Sequence, residues 1–369
     1  MARLIVFDFD GTITQQDTIH ILHQLPIYCT SLTHLQDETR NKWKNIVDLY
    51  VADHAKHKES YVPKAEDRKT LAEELAYLES LRTVEQASAE RVVSSRIFAR
   101  KTRQQWLGLG VTARKNGEDP SFQGQGQGQG QGDKANTTAV TVRNGFTAFV
   151  KKAKENEDTV GIVSVNWSKA FIEGVVEPEE QDYSVNWCQT GFVKRVNEIE
   201  YPDGNLKGPK EMGGWVLMTA KDKLEAFETI LEDEGFAVEE AVKEEAVKEE
   251  AVKEEAVKEE GVKEKAVKEE AEDEQADGEK IEEEQQRSGK GSVVYFGDSV
   301  TDLECLLRAD TGIVMVNEGE EEENKLLGTF RRLGFEVPHV SEAQEGAKLA
   351  WARDFEEVMR SEVLGEEDD

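Results

Sequence analysis

The feature that most limits what this chain can fold into lies in its first twelve residues, where Leu4-Ile5-Val6-Phe7 runs straight into Asp8-Phe9-Asp10-Gly11-Thr12. Four consecutive apolar residues without helical spacing describe a strand covered on both faces, as in parallel α/β sheets. Such sheets gather their chemistry at the carboxyl ends of the strands. Asp8 and Asp10 stand at that end, and Gly11 permits the tight backbone that turns amide groups toward an anion. An ordinary strand-end turn also uses Asp and Gly, so the pair gains weight only in company with other motifs.

Two further apolar runs end in polar residues. Thr159-Val160-Gly161-Ile162-Val163 leads into Ser164, and Val293-Val294-Tyr295-Phe296 leads into Gly297-Asp298-Ser299. Helical spacing appears at Ile19, Leu22 and Leu25 and again at Leu71, Leu75 and Leu78, and this stretch reads as ending near Trp106-Leu107. Phe192 to Ile199 reads as strand, Tyr201 to Gly204 as a turn, and Lys223 to Leu231 as an amphipathic helix with Leu224, Phe227 and Leu231 on one face. Strands alternating with helices predict an α/β fold with a doubly wound parallel sheet and a helical cap inserted after the first strand. Residues 1–14 and 140–369 then form the core, and 15–139 the cap, whose end holds five Gln-Gly pairs from Gln123 to Gly132 with the composition of a flexible loop.

Charge narrows the partners. With 77 acidic against 46 basic residues, the formal net charge of −31 argues against nucleic acid or an anionic membrane. Cys29, Cys188 and Cys305 form no CxxC pattern and read as reduced thiols, and no run approaches the length of a membrane span. A first strand opening at residue 4 leaves no space for a leader, so a soluble cytoplasmic protein is expected. Residues 239–286 carry 21 acidic and 8 basic residues, −13 of the total, and include six near-copies of Ala-Val-Lys-Glu-Glu. A period of five advances about 140° around a helix, so the valines form no stripe, whereas pairs such as Glu244 with Lys248 favour a solvated helix. This acidic insertion, solvated helix or disordered, is suited to a basic protein partner.

Four elements now stand in order: DFDGT at Asp8 to Thr12, Ile162-Val163-Ser164, Lys223 near a helix start, and GDSVTD at Gly297 to Asp302. Together they resemble the haloacid dehalogenase superfamily of phosphohydrolases, and the layout around Val142 to Phe146, Ser164 and Val196 to Ile199 is similar to its phosphoserine phosphatase-like members. The resemblance covers the core strands and not the two low-complexity insertions. It implies a Rossmann-like core and a Mg²⁺-dependent phosphatase acting on a small phosphorylated metabolite, with Asp8 as nucleophile and Asp10 as acid/base. It further implies that Ser164 and Lys223 bind phosphate along with Gly11 and Thr12. The implied metal ligands are Asp8, the Asp10 carbonyl and Asp298, with Asp302 beside the ion or holding its waters.

The residues make chemical sense independently of the family. The anionic oxygens of a phosphomonoester repel a nucleophile, so the site must cancel charge and align attack. A carboxylate nucleophile divides the displacement into two steps, and a second carboxyl can move the proton. Adjacent carboxylates suit a hard cation. Lys221 and Lys223 both remain candidates from spacing alone, with Lys207 and Lys210 behind them. His20 and His23 lack the carboxylate partners of a metal site, and Arg91, Arg96, Arg100, Lys101 and Arg103 read as one basic helix with a solvated face. Within the resemblance, an acid at position 10 implies a phosphatase or sugar-phosphate mutase rather than a dehalogenase, so a phosphotransferase or mutase is the enzymatic rival, and a scaffold using the acidic insertion the non-enzymatic one. The cap sequence selects no substrate.

Overall fold

The computed structural model describes residues 2–119, 138–176, 191–236 and 291–365. The Gln-Gly pairs, Cys188 and the acidic insertion lie outside the described residues. Six parallel strands form the central sheet: β1 (Leu4–Phe7), β2 (Thr159–Ser164), β3 (Val193–Val196), β6 (Val293–Gly297), β7 (Thr311–Met315) and β8 (Leu349–Ala352), in the order β3-β2-β1-β6-β7-β8. The remaining two, β4 (Glu198–Ile199) and β5 (Leu206–Lys207), pair antiparallel in a separate ribbon. From β1 the chain builds outward to one side and then to the other. The order therefore reverses at β1, and the crevice at its carboxyl end is where an open α/β sheet binds ligands.

Among the described residues, six helices lie between β1 and residue 120: α1 (Ile19–Leu22), α2 (Gln24–Tyr28), α3 (Thr33–Ser60), α4 (Leu71–Ser80), α5 (Arg82–Ser95) and α6 (Arg103–Glu118). The rest are α7 (Phe146–Glu155), α8 (Lys169–Val176), α9 (Ala220–Glu234), α10 (Leu303–Arg308), α11 (Lys325–Arg332) and α12 (Phe355–Arg360). Strand alternation divides the core. Ile5, Phe7 and Phe296 face a cluster with Phe146, Phe149 and Phe355 of α7 and α12, while Leu4, Val6 and Tyr295 face Phe227, Ile230, Leu306 and Phe330 of α9, α10 and α11. Phe7 sits among four rings, 5.1 Å from Phe296 and 5.5 Å from Phe146. Both faces are covered, which explains why β1 shows no polar alternation.

Three readings need correction. The helical stretch does not stop near Trp106-Leu107: α6 continues to Glu118, because its Trp106, Leu109 and Ala113 face is buried. The basic residues do not share one helix. After α5 ends at Ser95, Arg96 and Arg100 adopt positive φ, and a Thr102–Gln105 capping box starts α6. Arg91 pairs with Asp53, Arg96 with Asp203 and Arg103 with Glu173. Finally, Phe192 to Ile199 is two strands, not one. Asn197 breaks it: its side chain is fully buried, donating to the Val165 and Leu217 carbonyls and accepting from the Leu217 amide.

His23 packs rather than binding metal, its ring stacked 5.0 Å from Trp43 and 5 % exposed. Its Nδ1 meets the His20 carbonyl and Nε2 accepts from Gln24 at 3.0 Å, which is the neutral tautomer. Burial lowers its pKa from 6.5 to about 4, so the unfolded chain binds more protons between those values. Stability present above pH 6.5 should fall by about 3 kcal/mol as the pH drops to 4. Urea titrations at the two pH values should show this loss reduced in His23→Phe; an equal loss in both proteins would refute it. Among the described residues no helix is long and apolar enough to cross a membrane.

Candidate active site

β1 pairs Phe7 with Ile162 of β2 and with Phe296 of β6, so Asp8, Ser164 and Asp298 all emerge at one edge of the sheet. The Asp8 amide donates to the Phe296 carbonyl at 2.8 Å, holding its side chain at the mouth of the strand. The chain then makes one wide turn across Phe9–Ile13, closed by the Thr14 amide on the Phe9 carbonyl at 3.1 Å. Gly11 is required there twice over. Its φ is +75°, and a Cβ at this position would collide with the Asp298 carboxylate.

A buried lysine lies beside the carboxylates. In α9 the inward positions are Ala220, Lys223, Ala226, Phe227 and Ile230, so the same helical face that fills the core carries Lys223 into it. A Thr219–Asp222 capping box starts the helix, and Arg82 of α5 grips Asp222 with two nitrogens at 3.0 and 3.1 Å. Lys223 Nζ lies 2.9 Å from Asp8 and 2.6 Å from Asp302. Lys221 is exposed, which separates the two candidates left open by spacing. Lys207 and Lys210 pair with Glu200 and Glu211.

Asp302 is fully buried and both of its oxygens are engaged. Oδ1 takes the Lys223 contact and a 2.8 Å hydrogen bond from the Tyr295 hydroxyl; Oδ2 accepts from the Asp298 and Ser299 amides in the cap of the next helix. Asp8, Asp298 and Asp302 each offer an oxygen within 4.8 Å of the other two. Three carboxylates against one lysine leave an excess of two negative charges. Burial first, then Asp8 and Asp302, push the Asp298 carboxyl well up, and Asp8 is also raised by burial against the opposing pull of Lys223. Asp8 Oδ1 is buried with no hydrogen-bond partner among the described residues. An orphaned carboxylate oxygen in an acidic pocket fits a divalent cation.

Asp10 occupies a separate cradle. Its Oδ1 accepts from the Thr18 amide at 2.8 Å and the Thr18 hydroxyl at 2.6 Å, and Oδ2 from Asn166 at 2.8 Å. Burial raises its pKa, reinforced by the nearby Asp17 and opposed by the Thr18 and Asn166 hydrogen bonds. Ser164 Oγ accepts from the Asn166 amide at 3.2 Å, which leaves its hydroxyl hydrogen to be given elsewhere. Gly11 and Thr12 are turned into the loop itself, the Gly11 amide donating to the Thr14 hydroxyl and the Thr12 hydroxyl to Asp298 at 3.1 Å.

Sequence reasoning missed Thr18 and Asn166, which are ordinary loop residues until the fold closes them on Asp10. It also missed the role of Arg143. That guanidinium donates to the carbonyls of Gly11, Thr12 (3.1 Å), Val316 (3.2 Å) and Arg353 (2.6 Å) and to the Asn317 side chain (3.1 Å), bracing the loop from behind.

The fold and site together define a doubly wound α/β protein with a carboxylate–lysine centre at its topological switch point. No family model matches the chain. It is 26 % identical over 214 residues to Cold tolerance protein 1 of Saccharomyces cerevisiae, an alignment covering 54 % of this chain and 58 % of that protein, so it spans less than two thirds of the relative's length. Among solved structures it is similar to a substrate-bound phosphoserine phosphatase, at 13 % identity and a TM-score of 0.41, with 98 % of each chain covered. A phosphoserine phosphohydrolase-like protein from Francisella tularensis is similar at 14 % identity and a TM-score of 0.40, covering 97 % of this chain and 98 % of that one.

Proposed function

We propose that this chain is a phosphatase of the haloacid dehalogenase type that hydrolyses a small phosphomonoester through an aspartyl-phosphate. The observation that carries the reading is the unpartnered Asp8 Oδ1 at the end of β1, beside Lys223 and two residues from a carboxyl that burial favours in its protonated form.

A Mg²⁺ ion would be held by the Asp8 and Asp298 carboxylates and the Asp10 backbone carbonyl, and would supply neutralisation of charge on the phosphoryl oxygens. Asp302 keeps Lys223 in place, as its own oxygens are already bonded. Lys223 and the Ser164 hydroxyl bind the phosphoryl oxygens. The Asp8 carboxylate attacks phosphorus as the ester P–O bond breaks, and Asp10 gives its proton to the departing alkoxide. Asp10 then takes a proton from water, whose oxygen attacks phosphorus, breaking the aspartyl-phosphate bond and releasing phosphate. Thr18 and Asn166 hold the Asp10 carboxyl in line for both transfers.

The test is a screen of the full chain against small phosphomonoesters with Mg²⁺, with EDTA, and with Mg²⁺ restored in excess. Release of inorganic phosphate that EDTA abolishes and Mg²⁺ restores is the expected result. Absence of turnover across the panel, or turnover indifferent to EDTA, refutes it.

A further inference from the structure

The inserted helices and the sheet meet over a cavity of about 170 Å³ whose walls include Asp17, Trp43, Tyr50, Glu85 and Trp167. Its position derives from the Asp10 cradle. Thr18 and Asn166 bind the Asp10 carboxyl, and their chain neighbours Asp17 and Trp167 line the cavity. The cavity therefore adjoins the two residues that hold the Asp10 carboxyl.

The lining is chemically one-sided. It offers two carboxylates, three flat rings and a set of aliphatic side chains and, among the described residues, no lysine, arginine or histidine. The Tyr50 hydroxyl donates to Glu85 at 2.9 Å, fixing that carboxylate in the wall. Trp43 and Trp167 stand edge to face with centroids 6.3 Å apart. A substrate carboxylate would enter without a countercharge and beside two like charges. A cation would meet carboxylates and ring faces, both attractive to it. Size gives the second limit, since a cavity of about 150 Å³ holds one benzene ring.

On the phosphatase reading above, we propose that the phosphate is carried by an alcohol built on a single aromatic or heteroaromatic ring bearing a protonated amine. The ring lies against Trp43 and Trp167, and Glu85 with Asp17 receives the amine. Phosphoserine, with its carboxylate, is disfavoured.

The experiment compares kcat/KM of the full chain with Mg²⁺ for para-(aminomethyl)benzyl phosphate, benzyl phosphate, O-phosphoserine and p-nitrophenyl phosphate. The aminated ester should exceed both benzyl phosphate and phosphoserine by about tenfold or more. In the isosteric Glu85→Gln, and to a smaller degree in Asp17→Asn, the ratio of aminated to neutral ester should fall toward one. Turnover of p-nitrophenyl phosphate without that preference, or a ratio unmoved by Glu85→Gln, overturns the substrate assignment and leaves the phosphatase reading standing. If no ester is cleaved, the phosphatase reading fails, and the cavity is judged by quenching of tryptophan fluorescence with para-(aminomethyl)benzyl alcohol. Quenching that weakens in Glu85→Gln supports the amine site; its absence, or its indifference to that change, overturns it.

Discussion

On the proposed phosphatase reading, Asp8→Asn is expected to lower kcat by at least about a thousandfold, since it replaces the proposed nucleophile while keeping the side chain's shape. The fold should survive. Asp8 belongs to a centre with three carboxylates and one lysine, so a neutral amide relieves repulsion from Asp298 and Asp302 at the cost of one contact to Lys223. Lys223 retains Asp302 at 2.6 Å. Thermal melting should therefore change little, while acid-stable phosphorylation trapped from labelled substrate should vanish with turnover. Activity within tenfold of the parent would mean that Asp8 is not the nucleophile.

Lys223→Met should be the most destabilising single change at the site, by about 3–5 kcal/mol, because it leaves the buried Asp8 and Asp302 carboxylates without a countercharge. Methionine keeps most of the stem's volume, so the loss reports the charge rather than a cavity. Lys221→Met, two residues earlier and exposed, should stay within about 0.5 kcal/mol. Urea denaturation of both variants without divalent metal separates the two lysines. A Lys223→Met loss below about 1 kcal/mol would show that the carboxylates are relieved by protonation instead.

The strands that bear chemistry were legible because each is a short apolar run stopped by polar residues, as at Phe7-Asp8, Val163-Ser164 and Phe296-Gly297. β7 and β8 passed unread. Thr311–Met315 and Leu349–Ala352 are equally buried, but their ends carry no recognisable acid or phosphate motif to draw notice. Among the site residues, Asp8, Lys223, Asp298 and Asp302 come together while Ser164 stands at the same sheet edge, and the choice between Lys221 and Lys223 needed the helical face defined by Ala220, Ala226 and Ile230 rather than Leu224, which is only partly buried. The Asp10 cradle could not be read at all. Thr18 lies 148 residues from Asn166, and nothing in either segment states that they will share a hydrogen bond.

Arg143 belongs to none of the four motif elements, yet its side chain clasps the DFDGT loop, the residues after β7 and a carbonyl 210 residues along the chain. Five donors on a rigid plane can satisfy those acceptors together, and a lysine's three donors on a single nitrogen cannot. Two chains could thus share every motif letter and differ in whether the loop holds its shape. The DFDGT loop of this chain thus takes its brace from a residue that none of the four motif elements contains.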